Sequence, residues 1–195
     1  RIQAQTMVSE ERKLTKEEYK RLLHAAKEKN ERLYLVMQSI CSVGLRVSEL
    51  KFLTVEAVHR GRTVVNNKGK MRTVVLPPKL CLILKKYCRR QRVTGGSIFV
   101  SRTGRPLDRS NIWSAMKELA KAAGVAADKV FPHNLRHLFA FTFYGVEKDL
   151  LRLADILGHT SVDTTRIYTI SSGWEHKRIL SKLGLVYQSD GKRRT

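Results

Sequence analysis

Acidic residues are scarce in this chain. Its 195 residues hold 17 Asp and Glu against 38 Lys and Arg, a formal net charge of +21 at pH 7 with a pI near 10.4. So few carboxylates leave no cluster of the kind that two-metal nuclease chemistry needs. The positive excess predicts a polyanionic partner, because neutralising phosphates releases condensed counterions and supplies most nonspecific affinity. A ribosomal-type or membrane-surface protein is the plainer alternative. Cysteine is also sparse. Cys41, Cys81 and Cys88 are odd in number, lack metal-type spacing and sit in apolar helical patterns. They read as reduced core or boundary residues of a cytosolic protein, not as a disulfide frame or zinc site. Long apolar runs are missing, which excludes a membrane-spanning helix, and no signal peptide pattern precedes the first helix. There is no internal repeat. The hydrophobic fraction of 42% is ordinary and excludes a disordered basic tail.

What is present reads as mainly helical with a small antiparallel sheet. Thr15-Lys16-Glu17-Glu18 is a capping box, followed by Tyr19, Leu22, Leu23 and Ala26 at helical spacing. A second helix carries Leu33, Val36, Met37, Ile40 and Cys41 and stops near Gly44. Arg46 to Phe52 reads as a short third helix, after which β-branched residues take over. Thr63 to Asn66 and Arg72 to Leu76 flank Asn67-Lys68-Gly69-Lys70, a hairpin signal. Lys79 to Arg92 is an amphipathic helix whose basic residues form a solvated face or touch DNA backbone. Ile98-Phe99-Val100 reads as a short strand and Asp108 to Ala123 as a helix ended by Gly124. Further helices are expected near Pro132, Leu150, Ser161 and Trp174.

The residues that carry chemistry fall in short boxes. Arg46 lies in Gly44-Leu45-Arg46-Val47-Ser48-Glu49-Leu50, where the apolar positions turn inward and Arg46 points outward or into a cleft. Pro132 starts a helix that puts His133 and Arg136 on one face. Two guanidiniums forking onto one phosphate would orient it and stabilise a pentacoordinate transition state. Gly158 lets a helix end sharply before His159, and Ser161 caps the next helix, which presents Tyr168. Most tyrosines are packing residues. Tyr168 stands apart because its helix is Thr-rich, only weakly apolar and follows the Gly-His turn. A phenol with a pKa near 10 is a poor nucleophile at neutral pH, and nearby cations favour its phenolate. A leaving 5′ oxygen needs a proton, which a lysine at a hairpin turn, Lys68 or Lys70, can bring.

Gly44 to Leu50, Lys68-Gly69-Lys70-Met71-Arg72, His133-Asn134-Leu135-Arg136-His137, Leu157-Gly158-His159 and Thr164-Thr165-Arg166-Ile167-Tyr168-Thr169 together resemble the tyrosine recombinases, the phage-integrase family, in composition and order. The resemblance runs from about Leu14 to Leu185. It implies the α+β catalytic-domain fold of the DNA breaking-rejoining enzymes. It further implies Arg46 and Arg136 as phosphate clamps and Tyr168 as nucleophile. His133 and His159 would bond phosphate oxygens, His133 also handling the tyrosine proton. Lys68 would be the general acid, since it precedes the turn glycine; this hairpin is shorter than the family's usual Lys-Gly-x-Lys-x-Arg, so Lys70 is the alternative. Glu49 would support an active-site arginine, and His137 would be structural. Lys70, Arg72, Arg89 and Arg90 are expected to contact DNA backbone. No metal and no cofactor is expected.

The expected organisation is a linker over residues 1–13, leading from a missing N-terminal DNA-binding domain, a catalytic domain over 14–186 and a basic tail over 187–195. The expected activity is site-specific recombination through a 3′-phosphotyrosine, for integration or excision of a mobile element in a bacterial or phage setting, cytoplasmic and nucleoid-associated. The expected partners are double-stranded DNA and further copies of the chain, as a tetramer on two duplexes. A segment near Trp174 to Leu183 would pack either on a neighbouring subunit or within its own chain. The rivals are a type IB topoisomerase, a binding module that kept the fold without the chemistry, and a generic RNA-binding protein.

Overall fold

The structure is a computed structural model that describes residues 12–101, 103–159 and 161–168, with Leu180, Lys182 and Leu183. The Trp174 segment apart from those last residues, and the tail from residue 187, lie outside the described residues. Helix α1 (Lys16–Lys29) begins as its capping box requires. Thr15 Oγ1 accepts the Glu18 N–H at 3.0 Å, and the Glu18 carboxylate accepts the Thr15 N–H at 2.9 Å. Such a cap contributes about 1 kcal/mol. Two residues of the expected linker already touch the folded body: the Arg12 carbonyl accepts from Asn134 Nδ2, and the Lys13 ammonium lies 4.2 Å from the centre of the Phe141 ring.

Helix α2 (Glu31–Val43) ends at Gly44, whose φ of 67° lies in the left-handed region. A Cβ there would also stand 2.6 Å from the Phe139 ring, so glycine is required twice over. Arg46 to Phe52 is helical, as a 3-10 turn over Val47–Phe52. Helix α3 (Val55–Arg60) follows, in a stretch to which the sequence assigned no element. Thr54 Oγ1 caps it by accepting the Ala57 N–H at 3.1 Å, and burial of Ala57 and Val58 outweighs the weak helix preference of valine.

Strands β1 (Arg62–Asn67) and β2 (Lys70–Val75) pair antiparallel with Asn67 opposite Lys70, leaving Lys68-Gly69 as a two-residue turn. Both turn residues have positive φ, 51° and 80°, the combination that matches strand twist in a hairpin. Helix α4 (Pro78–Gln91) starts directly after Pro77. The expected strand at Ile98–Val100 does not form. Only isolated pairings, Thr54 with Ser97 and Val100 with Pro106, mark that stretch. Pro106 has no N–H to extend a ladder.

Helices α5 (Arg109–Ala123), α6 (Pro132–Glu147) and α7 (Leu150–Leu157) complete the body. The helix expected from Ser161 is instead two 3-10 turns, Val162–Thr164 and Arg166–Tyr168. Threonine and β-branched residues there disfavour a longer α-helix. Helix α2 packs on α1 and α6 around Leu22, Val36, Met37, Ile40 and Leu135, all fully buried. A smaller cluster joins Ala140, Leu153, Leu157 and Tyr168. The C-terminal ends of α2 and α7 thereby meet the first turns of α6.

Candidate active site

Arg136, on the second turn of α6, is only 2% exposed. Its Nη1 donates to the Gly44 carbonyl and its Nη2 to the Leu157 carbonyl at 2.6 Å. Both carbonyls close helices, where backbone acceptors lack helical partners and the helix dipole is negative. Two helix ends thus compensate a buried cation. Burial, and then Arg46, draw its pKa down to about 9, which keeps it protonated at neutral pH.

Arg136 Nη2 also lies 3.4 Å from His159 Nε2, while His159 Nδ1 lies 2.8 Å from Thr165 Oγ1. A guanidinium only donates, so Nε2 faces it as acceptor and the Nδ1–H donates to the threonine hydroxyl. Burial, and next the cationic Arg136 and Arg46, push His159 down to about 4, consistent with this neutral ring.

Glu49 is the buried anion of the site, 1% exposed. Arg72 donates to it twice, Nη1 to Oε1 at 2.5 Å and Nη2 to Oε2 at 2.8 Å. Arg46 adds Nη1 to Oε1 at 3.1 Å and its backbone N–H to Oε2 at 2.8 Å. Burial alone would raise the carboxyl pKa, but the bonds from Arg72 and Arg46 hold it below the usual range. Arg72 Nε donates to the Ile156 carbonyl at 3.0 Å, tying the hairpin to α7. Gly158 permits this crossing, since a Cβ there would stand 2.8 Å from Arg72 Cδ.

A basic cleft of about 610 Å³ opens over this network, lined among others by Arg46, Lys68, Lys70, Arg72, Gly158 and His159. On the far side of Arg46 a recess of about 210 Å³ is bordered by Arg109, Trp113, His133 and Arg136. Tyr168 lines neither. It is 6% exposed, with its ring edge-to-face against Phe141 at 4.9 Å and its Oη 2.6 Å from His137 Nδ1. Burial raises the phenol to about 12, with Arg136 pulling the other way. Burial, then His133 and Arg136, lower His137 to about 4. The His133 and His137 rings meet edge-to-face at 4.5 Å.

Residues 12–173 match the phage integrase family. The chain belongs to that family. Curated relatives of this phage integrase chain include tyrosine recombinase XerA of Pyrococcus furiosus, 33% identical over 180 residues, covering 89% of the chain and 62% of the relative. Tyrosine recombinase XerD of Xanthomonas campestris pv. campestris is 35% identical over 150 residues, covering 69% and 46%. The chain therefore spans about half to three-fifths of the length of these relatives. A crystal structure of XerA recombinase superposes with a TM-score of 0.72 at 29% identity, covering 90% of this chain and 64% of that one. The Tn1549 transposon integrase in complex with transposon right end DNA shares the fold, with a TM-score of 0.75 at 15% identity over 89% of this chain and 66% of that one.

In this phage integrase domain Arg46, His133, Arg136 and His159 line one or other of the two hollows, which share Arg46, with Lys68 and Lys70 in the wall of the larger. Arg72, read as a DNA contact, has its guanidinium engaged with Glu49 and Ile156 while still forming part of the cleft wall. Arg89 and Arg90 lie outside both hollows. Arg89 borders a groove between α3 and α4, and Arg90 pairs with Glu31. His137, read as structural, is the residue that touches the Tyr168 hydroxyl. Its place four residues after His133 puts it on the same helix face, and that spacing was the available signal. Burial raises all three cysteine thiols, as befits inert packing residues. Among the described residues, no helix is long and apolar enough to cross a membrane.

Proposed function

We propose that the chain is the catalytic domain of a site-specific DNA recombinase that cuts and rejoins strands through a covalent 3′-phosphotyrosine at Tyr168. The observation that carries this reading is the meeting of Arg46 and His159 in one basic cleft, Arg46 held by the Glu49 carboxylate and His159 set against the buried Arg136, with Tyr168 buried nearby. A scissile phosphate in the cleft would receive N–H donors from Arg46 and Arg136 and from the histidines. These donors neutralise charge as phosphorus becomes pentacoordinate. Tyr168 Oη bonds to phosphorus, its proton passing to His133 as the family resemblance implies, and the bond to the 5′ oxygen breaks. That oxygen takes a proton from Lys68, at the hairpin tip on the cleft rim, with Lys70 as the alternative donor. A 5′-hydroxyl of the partner duplex then attacks the phosphotyrosine, and strands exchange without hydrolysis or ATP.

The working assembly in this reading is four copies on two duplexes, in a cytoplasmic, nucleoid-associated setting. The process served is integration or excision of a mobile element. A plasmid carrying two copies of the element's ends, incubated without ATP and with a chelator, tests the reaction class. Recombined circles support the recombinase. Relaxed circles alone indicate a topoisomerase, and binding without any break indicates a DNA-binding module.

A further inference from the structure

The groove between α3 and α4 takes no part in the site described above, and its chemistry is two-sided. Val55, Val58 and Val93 give an apolar floor to a space of about 450 Å³. Lys85, Arg89 and Arg92 stand along the wall formed by α4 and its cap. Spaced by four and three residues, they share one face of the helix end. Like charges at that spacing repel one another, and the fold supplies no anion to offset them. Among the described residues none of the three pairs with a carboxylate, whereas Arg90, one position round the helix, is bridged to Glu31. Glu56, the acid of α3, is turned to the Gly96 N–H. From Ala57 to Leu107 the sequence has no Asp or Glu at all. Arg92 moreover holds the left-handed cap of α4, φ 54°, a position that glycine fills with less strain.

We propose that this groove is a docking site for an acidic, amphipathic helical segment of a partner protein. Apolar side chains of that segment would cover the valine floor, and carboxylates on its flank would meet Lys85, Arg89 and Arg92. A helix laid in a groove anchors through apolar residues three and four positions apart, and complementary charge fixes its register. DNA is the other polyanion at hand, and the place of the groove argues against it. Helix α3 runs into the base of the hairpin at β1, and α4 leaves that base after β2. The catalytic cleft is walled instead by the tip half of the hairpin, including Lys68, Lys70 and Arg72. Each strand has six residues, which sets the tip about 20 Å from the base. A phosphodiester backbone also carries no apolar surface to cover the floor. Arg89, expected on DNA backbone, then serves the partner instead.

The probe is a labelled helical peptide with leucines three and four positions apart and glutamates beside them. Fluorescence anisotropy with the whole chain is expected to show binding that weakens about tenfold in the double variant Lys85→Glu, Arg92→Glu. Replacing the peptide's leucines with serine is expected to abolish binding. The double variant is expected to bind a DNA duplex with unchanged affinity and salt dependence. Equal binding of the leucine and serine peptides would mean general attraction to a basic chain and overturns the proposal. So does equal binding of the leucine peptide by the wild type and the double variant, or no binding by either. A weaker duplex affinity in the double variant, with a salt slope shallower by about 2, would make the groove a phosphate track and overturn it as well. Dissociation of a wild-type dimer by the peptide in sedimentation velocity would give the groove to a second copy of the chain, with the same consequence. Should the double variant fail to fold, Arg92→Gly, at a backbone position suited to glycine, carries the same comparisons, with a loss of about threefold expected.

Discussion

Arg72 grips Glu49 with both terminal nitrogens, at 2.5 and 2.8 Å, and so fastens the β-hairpin to the turn that bears Arg46. The same carboxylate orients Arg46 from beneath. Replacing Glu49 with Ala removes the buried anion that two partly covered guanidiniums share. Removing one partner of a buried pair costs about 3 kcal/mol or more. Urea unfolding of Glu49→Ala is expected to show a loss of that order, and DNA cleavage is expected to fall further than DNA binding.

Lys68 occupies a left-handed turn position, φ 51°, that glycine or asparagine would hold with less strain. Its retention there is explained if the ammonium is needed at the tip. Lys68→Gly is expected to stabilise the fold by about 1 kcal/mol while slowing cleavage. Thermal melts alongside cleavage rates check both halves. A slower rate for Lys70→Ala than for Lys68→Gly would move the acid role to Lys70.

Gly158 and Gly124 share a left-handed φ, 64° and 61°, but differ in surroundings. Nothing lies within 4 Å of a Cβ at Gly124, whereas one at Gly158 meets Arg72. Gly124→Ala is expected to cost about 1 kcal/mol, the strain of the backbone alone. Gly158→Ala is expected to cost more and to depress cleavage, because Arg72 must release Ile156 or Glu49. Equal losses of stability in the two variants would mean that the crossing of Arg72 over Gly158 is unimportant.

His137 and His159 both have pKa values near 4 in the folded chain against an ordinary 6.5. Between those values the unfolded chain binds more protons than the folded one. Stability therefore falls as pH drops from about 6.5 towards 4 and levels off below, as far as these two groups decide it. Glu49, whose folded pKa is depressed, adds a loss at still lower pH. Melting temperature against pH is expected to show the upper decline, and His137→Asn is expected to flatten it.

Local signals were legible in the sequence, and long-range ones were not. Thr15 with Glu18, Gly44, Asp108 and the Lys68-Gly69 turn each act on their own few residues, and the elements they announce are present. The short helix after Thr54 had no assignment from sequence, since Val55 and Val58 are weak helix formers; the cap that Thr54 makes and the burial of Val58 form it. Ile98-Phe99-Val100 is apolar because it is buried, not because it pairs. The site boxes were readable as residues, but not the bonds between them. Arg72 reaches the Ile156 carbonyl across 84 positions, and Arg136 reaches that of Gly44 across 92. Such contacts depend on tertiary packing, so neither the engagement of Arg72 nor the hold of His137 on Tyr168 could be read from spacing alone.

Covalent trapping tests the central claim most directly. The chain is incubated with a nicked suicide duplex made from its element's ends. The denatured complex is digested with protease, and the DNA-linked peptide is sequenced by mass spectrometry. The account predicts a 3′-phosphate bonded to Tyr168, with no adduct from Tyr168→Phe although that variant still binds the duplex. An adduct on another residue, or one that survives in Tyr168→Phe, would contradict it.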